Sequence, residues 1–224
     1  MRPQRLLTAR TAGVLGATAI AGLVTLANRV GWIGVSSIAA SPSAVAKGKV
    51  WLLLTSGVIA DRPWLASLLG FAIVASAVLA VAPLRVVVAA ALAGHVLATL
   101  AVYGALGVAR EFDKDAFASV LHTPDLGLSA IIAAWIGVVS QWFWRRYRSP
   151  HARVLNALGC VGCALIGFAF RPDVTVLDSE HIVAFAMGVA IAACWRPAAK
   201  RSGETGTDDD VDRELKELLE RART

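Results

Sequence analysis

The sequence predicts an all-α polytopic membrane protein of six spans. Two observations predict it. Apolar residues make up 57% of the 224 positions and mean hydropathy is +0.63, well above an ordinary soluble domain. Charged residues, 17% of the chain, collect between apolar runs, and six runs approach the roughly 20 residues that a helix needs to cross a bilayer. The net charge of +6 does not indicate nucleic acid, because the cations flank apolar segments and no basic patch is interleaved with aromatics. The expected partner from composition is therefore membrane lipid.

The first span is expected over 11–28, behind Arg2, Arg5 and Arg10. Its apolar run is longer than the roughly 7–15 residues of a signal-peptide core, which favours an uncleaved first helix. Residues 31–49 form a mixed loop rich in Ser, Pro and Ala. The run 51–59 is apolar but too short to span, which fits a re-entrant or interfacial piece. Span two is expected over 64–82, closed by Pro83 and Arg85, and span three over 86–108. A charged loop, 110–125, precedes span four at 126–143, which ends in Trp144-Arg145-Arg146-Tyr147-Arg148. Span five is 154–170 and span six 181–195, followed by Arg196, Lys200 and Arg201.

Residues 1–202 thus read as one membrane domain and 203–224 as a charged cytoplasmic tail. In the tail, Asp208, Asp209 and Asp210 precede Val211, Leu215, Leu218 and Leu219. The spacing predicts a short amphipathic helix with acids at its start and Arg221 and Arg223 at its end. Three cysteines cannot form a disulfide framework. Cys160 and Cys163 lie inside an apolar run and read as small buried residues rather than redox or metal groups, so no metal or cofactor is expected.

Cations predict the orientation. Arg85, Arg145, Arg146, Arg148, Arg153, Arg196, Lys200 and Arg201 share one side with the N-terminal arginines, which predicts both termini in the cytoplasm; the plasma membrane is the expected location. Spans four and six then both begin at the outer face. Ser129, in Gly127-Leu128-Ser129-Ala130, and His181, in Glu180-His181-Ile182-Val183-Ala184, lie at those two starts. A serine hydroxyl is a weak nucleophile until a base takes its proton, and neutral histidine suits that near pH 7.

The helical spacing of Ser129, Ala133, Gly137 and Ser140, and of His181, Ala184, Gly188 and Ala192, predicts two small-residue faces able to pack closely. If they meet, the serine oxygen and a histidine nitrogen are expected within about 3.5 Å or bridged by water. Two helix starts are compatible with span four. With Asp125 as N-cap, the N–H groups of Gly127, Leu128 and Ser129 fall in the first turn and can face an oxyanion. With Thr123 as N-cap, the Ser129 N–H is bonded within the helix. On span three, His95, Thr99 and Tyr103 recur at i, i+4 and i+8 and are expected to face the bundle interior. There His95, expected to lie deeper than Ser129, either supports the site or bridges helices. His122 and His151 fall in loops.

These motifs resemble the rhomboid family of intramembrane serine proteases over most of 51–195. Trp51-Leu52-Leu53-Leu54-Thr55 resembles the family's W-R-x-x-T, Gly127-Leu128-Ser129-Ala130 its G-x-S-G, and His181, Ala184 and Gly188 its A-H-x-x-G-x-x-x-G. The resemblance implies a six-helix rhomboid-like bundle with Ser129 as nucleophile and His181 as general base. It also implies Gly127, Leu128 and His95 as oxyanion or support candidates, and cleavage of transmembrane segments without a cofactor. Leu52, Ala130, Glu180, Ala184 and Ala133 stand where the family has arginine, glycine, alanine, glycine and an aromatic. The family's second-helix H-x-x-x-N has no counterpart in 64–82. The alternative is a catalytically inactive rhomboid-like protein that binds transmembrane helices.

The orientation has a direct test. On a cysteine-free background, Asp115→Cys is expected to react with an impermeant thiol reagent on intact cells and Arg201→Cys only after lysis. The reverse pattern overturns the N-in, C-in reading.

Overall fold

The computed structural model describes residues 3–61, 63–113, 115, 117–146, 150, 153–154, 157 and 179–195. Span five, the C-x-x-C and the tail helix fall outside them, apart from a few isolated positions. The chain divides into two units, Met1–Cys194 and Trp195–Thr224, and the helices below all belong to the first. Among the described residues that unit is helical, with no strand beyond one isolated bridge between Ala40 and Asp125.

Helix α1 is Pro3–Arg29. It ends where Gly31 takes φ +80°, the left-handed conformation that glycine adopts without steric cost. Three short helices follow, α2 Val35–Ile38, α3 Pro42–Ala46 and α4 Leu52–Thr55, and then a tight turn over Ser56–Val58. The run expected to be re-entrant is this last piece, with Leu52 and Leu53 turned inward and buried.

Helix α5 is Trp64–Val81. The residue before a proline avoids the α region, and Ala82, ahead of Pro83, is extended at φ −130°, ψ 150°. The break separates α5 from α6, Leu84–Leu92, which continues through one π turn, Ala93–Leu97, into α7, Ala98–Ala109. Helix α8 is Leu128–Arg146 and α9 is Ser179–Cys194.

Three stretches are long and apolar enough to cross a membrane: Arg10–Arg29, Trp64–Val81 and Leu84–Ala109. They coincide with the first three expected spans. Their large side chains point outward, among them Leu15, Ile20, Leu23, Leu65, Leu69 and Ile73, each more than half exposed. In water so much exposed apolar surface would drive aggregation; in lipid it faces its own solvent. The fourth and sixth expected spans are also helices, but α8 carries Gln141, Arg145 and Arg146 and α9 has only 16 residues.

Contacts fix the helix directions. Helix α1 runs antiparallel to α5, since Arg10 donates to the Leu79 carbonyl at 2.8 Å while Thr25 Oγ1, at the other end, accepts from the Ala60 N–H at 3.0 Å. The α6–α7 helix runs antiparallel to α8: Trp135 Nε1 donates to the Val87 carbonyl at 2.9 Å, whereas His95 meets Gly127. Helices α8 and α9 run parallel. Gly188 lies against the Ala134 backbone, and Gly137 against the Phe185 carbonyl and Val189 nitrogen, while Arg145 reaches the Ala193 carbonyl near both C-termini.

The α8–α9 contact is backbone against backbone. Any Cβ on Gly188 would overlap the Ala134 carbonyl, and any on Gly137 the Phe185 carbonyl. Apolar helices gain nothing by merely leaving lipid for one another, so close backbone approach has to supply the attraction. The two small-residue faces expected from the sequence therefore do meet. Their membership differs from the expected one on both helices: α9 buries Glu180, Ala184, Gly188 and Ala192, so its inner stripe starts at Glu180 with His181 half-buried beside it. On α8 the tight face is Ala130, Ala134 and Gly137, with Ser129 at its margin.

Gly188→Val is expected to lower the stability of the detergent-solubilised protein by about 1–3 kcal/mol, the usual cost of overpacking. Gly104→Val, at a position with open space around it, is the control for the same thermal melt. Equal melting of the two variants would contradict the close contact.

Candidate functional site

Polar groups inside an apolar bundle are costly unless paired, and this fold gathers its buried polar groups at one end. Among the described residues, the buried polar ones are Thr25, Ser56, His95, Thr99, Asp125 and Glu180. All but Thr25 belong to a cluster formed by the π turn and α7, the starts of α8 and α9, and the Ser56–Val58 turn.

His95 is its centre. The side chain is on the π turn, whose extra residue re-aims the positions around it, and is 3% exposed. Its ring is held between two glycines. A Cβ on Gly127 would overlap the imidazole, and one on Gly57 would press on it. His95 Nε2 is 3.1 Å from Ser56 Oγ, and Nδ1 faces Glu180 Oε1 at 3.6 Å. Thr99 Oγ1 lies 2.6 Å from both Glu180 Oε1 and the His95 carbonyl, one proton shared between two acceptors. One turn further along α7, Tyr103 donates to Asp125 Oδ2 at 3.0 Å. The expected polar stripe of His95, Thr99 and Tyr103 faces the interior and joins three elements.

The main chain reinforces the cluster. The Gly127 N–H donates to the Ser56 carbonyl at 3.0 Å, and the Asp125 N–H to the Ala40 carbonyl at 2.8 Å. These two bonds fasten the loop carrying α2–α4 to the segment that leads into α8.

Helix α8 starts at Leu128, later than either sequence alternative places it. Asp125 lies outside the helix and accepts the Tyr103 hydroxyl. Leu128 and Ser129, the first two helical residues, have no carbonyl four positions back within the helix. The Gly127 N–H is taken up by Ser56, so of the two oxyanion candidates beside the serine it is Leu128 whose N–H lies in the open first turn. The Ser129 hydroxyl donates to the Leu126 carbonyl at 3.5 Å, a long bond at the edge of what counts as one. Its single proton is thus turned into its own loop in this conformation. Ser56 and His95 form a buried serine–histidine contact.

Ser129 and His181 nevertheless share a level. The pairing of Ala134 with Gly188, and of Gly137 with Phe185 and Val189, sets Ser129 opposite His181 to within two residues, about 3 Å of helical rise. Both are half-buried at the same end of two parallel helices. His95 does not lie deeper than Ser129 as expected. Its imidazole packs on Gly127, two residues before the serine.

Two members of the cluster escape a reading of the sequence. Glu180 groups naturally with the loop acids, although Glu180, Ala184, Gly188 and Ala192 recur at strict i+4 spacing, a tighter helical stripe than the one beginning at His181. Ser56 carries no signal beyond its place in an apolar run. His122 is exposed and bonds Ser43 Oγ at 3.1 Å, and His151 lies outside the described residues.

Thr99→Val keeps the shape but removes the hydroxyl that Glu180 depends on, and is expected to cost about 1–2 kcal/mol of stability in the apolar bundle. Thr18→Val, whose hydroxyl bonds only the Val14 carbonyl of its own helix, is the control and is expected to melt close to wild type. Equal losses in both would show that the buried cluster holds nothing together.

Against known proteins, the chain matches no family model, no curated protein and no solved structure.

Proposed function

We propose that this chain is a rhomboid-like intramembrane serine peptidase with six spans, both termini in the cytoplasm, and a Ser129–His181 dyad near the extracytoplasmic face of the plasma membrane. The observation that carries the reading is the register of α8 and α9. Two parallel helices in backbone contact bring a first-turn serine and a first-turn histidine to the same level and the same end.

In this reading a transmembrane segment unwinds beside α8 and offers a peptide carbonyl to Ser129. A rotation of the Ser129 hydroxyl away from Leu126 frees its proton for His181. Oγ attacks the carbonyl carbon, the proton passes to the imidazole, and the N–H groups of Leu128 and Ser129 face the developing oxyanion. The C–N bond breaks as His181 returns the proton to the leaving amine. Water then repeats the sequence on the acyl-serine and releases the acid. Substrates are transmembrane segments of other proteins, and no cofactor is needed.

A second reading, a rhomboid-like protein that binds transmembrane helices without cutting them, has one specific observation in its favour. The Gly127 N–H, an oxyanion candidate, is bonded to Ser56, and losing one such donor typically costs about 100- to 1000-fold in rate.

Cleavage of several transmembrane substrates by purified wild type, Ser129→Ala and His181→Ala separates the readings. Cleavage by wild type, lost in both variants with folding intact, is expected. No cleavage by wild type favours the helix-binding protein, and cleavage surviving in Ser129→Ala contradicts the dyad.

A further inference from the structure

Ser56, His95 and Glu180 come from three separate elements and stand in one line. We infer that they form a second serine-hydrolase centre, distinct from Ser129 and His181, with Ser56 as nucleophile, His95 as general base and Glu180 as the group that orients the base.

The geometry carries the order of roles. Ser56 Oγ is 3.1 Å from Nε2 and Glu180 Oε1 is 3.6 Å from Nδ1, so hydroxyl, imidazole and carboxyl follow one another as nucleophile, base and orienting acid do in a triad. Each of the three is at least nine-tenths buried. The His95 Nδ1 atom is buried and has no hydrogen bond, and an orphan of this kind calls for an explanation. A closing movement of a few tenths of an ångström toward Glu180 supplies one. A carboxylate oxygen only accepts, so the proton belongs on Nδ1. That tautomer leaves Nε2 as an acceptor facing the Ser56 hydroxyl, the state in which histidine activates a serine. A purely structural histidine has no need of this tautomer, because Nε2–H donating to Ser56 would hold the turn equally well.

The surroundings are built for the ring. Gly57 and Gly127 press on its two sides, leaving no room for a Cβ at Gly127. Thr99 donates at 2.6 Å to Glu180 Oε1, the oxygen that faces Nδ1, and so holds it in place. Around Ser56, the buried neighbours in sequence are Leu52, Leu53 and Ile59, so the substrate class that fits is an apolar carboxylic ester rather than a charged one. Ser56 is fully buried in this conformation, so substrate reaches it when the packing around the Ser56–Val58 turn opens.

In the reaction, Oγ bonds to the acyl carbon as its proton moves to Nε2. The carbon–oxygen bond to the alcohol breaks, and the alcohol leaves with that proton. Water then attacks the acyl-serine through the same base, releasing the acid and restoring Ser56.

The test uses an alkyl fluorophosphonate on the purified full-length Ser129→Ala protein, with peptide mass spectrometry to locate the adduct. Phosphorus bonds to the reacting oxygen, fluoride leaves, and the hydroxyl proton goes to the base. An adduct on Ser56 is expected. It should form about 100-fold or more slowly in His95→Gln and in Glu180→Gln, as loss of base catalysis predicts. An adduct at another serine, none after prolonged exposure, or an unchanged rate in both variants would overturn the proposal. Because the probe is read at Ser56, this failure is distinguishable from failure of the Ser129–His181 reading, which the cleavage assay decides.

Discussion

The structure depends on how closely α8 and α9 approach. Gly137 and Gly188 remove side chains where the two backbones touch, and Ala130, Ala134 and Ala184 fill the rest of that seam. Larger residues there would separate the helices and move their first turns apart. Those first turns carry Ser129, Glu180 and His181, so the seam sets the distances between them. A membrane bundle has little else to rely on, since lipid competes equally for its apolar side chains.

The second constraint is polar. Among the described residues, five of the six buried polar residues assemble around His95. Glu180 would be costly at the head of an apolar helix without Thr99 and His95 beside it. The arrangement also ties the short α2–α4 segment to the bundle, through Ser56 to His95, the Ser56 carbonyl to Gly127, and Ala40 to Asp125. One cluster thereby fixes a surface segment, the entry into α8 and the rotation of α9. Away from this cluster the helices are held by apolar packing, such as Phe71 against Trp135 at 5.1 Å between ring centroids, and by single bonds from side chains to carbonyls, such as Trp135 to Val87 and Arg145 to Ala193.

Much of this is legible in the residues. Long apolar runs bounded by Pro63, Pro83 and charged loops mark the limits of α5 and of α6–α7 to within two residues, because chain breaks at proline are local chemistry. The spacing of His95, Thr99 and Tyr103 predicts an inward stripe, and the small residues of α8 and α9 predict their contact. Less legible is anything set by rotation. Whether position 180 or 181 faces inward turns on about 100° of helix, and acids near helix ends usually face water, so Glu180 reads as part of its loop. The start of α8 at Leu128 follows from tertiary bonds of Asp125 and Gly127, which no local pattern records. Ser56 reaches His95 only because a short segment folds back, a long-range event with no periodic signature.

The central claim is that the first turns of α8 and α9 bring positions 129 and 181 together in the membrane. Paired cysteines measure it directly. On a cysteine-free background, Ser129→Cys with His181→Cys should form a disulfide on mild oxidation, since the bond requires Cα atoms within about 7 Å, while Ser129→Cys with Cys194 retained should not. Failure of the first pair to cross-link, or equal cross-linking of both, would contradict the register on which the account rests.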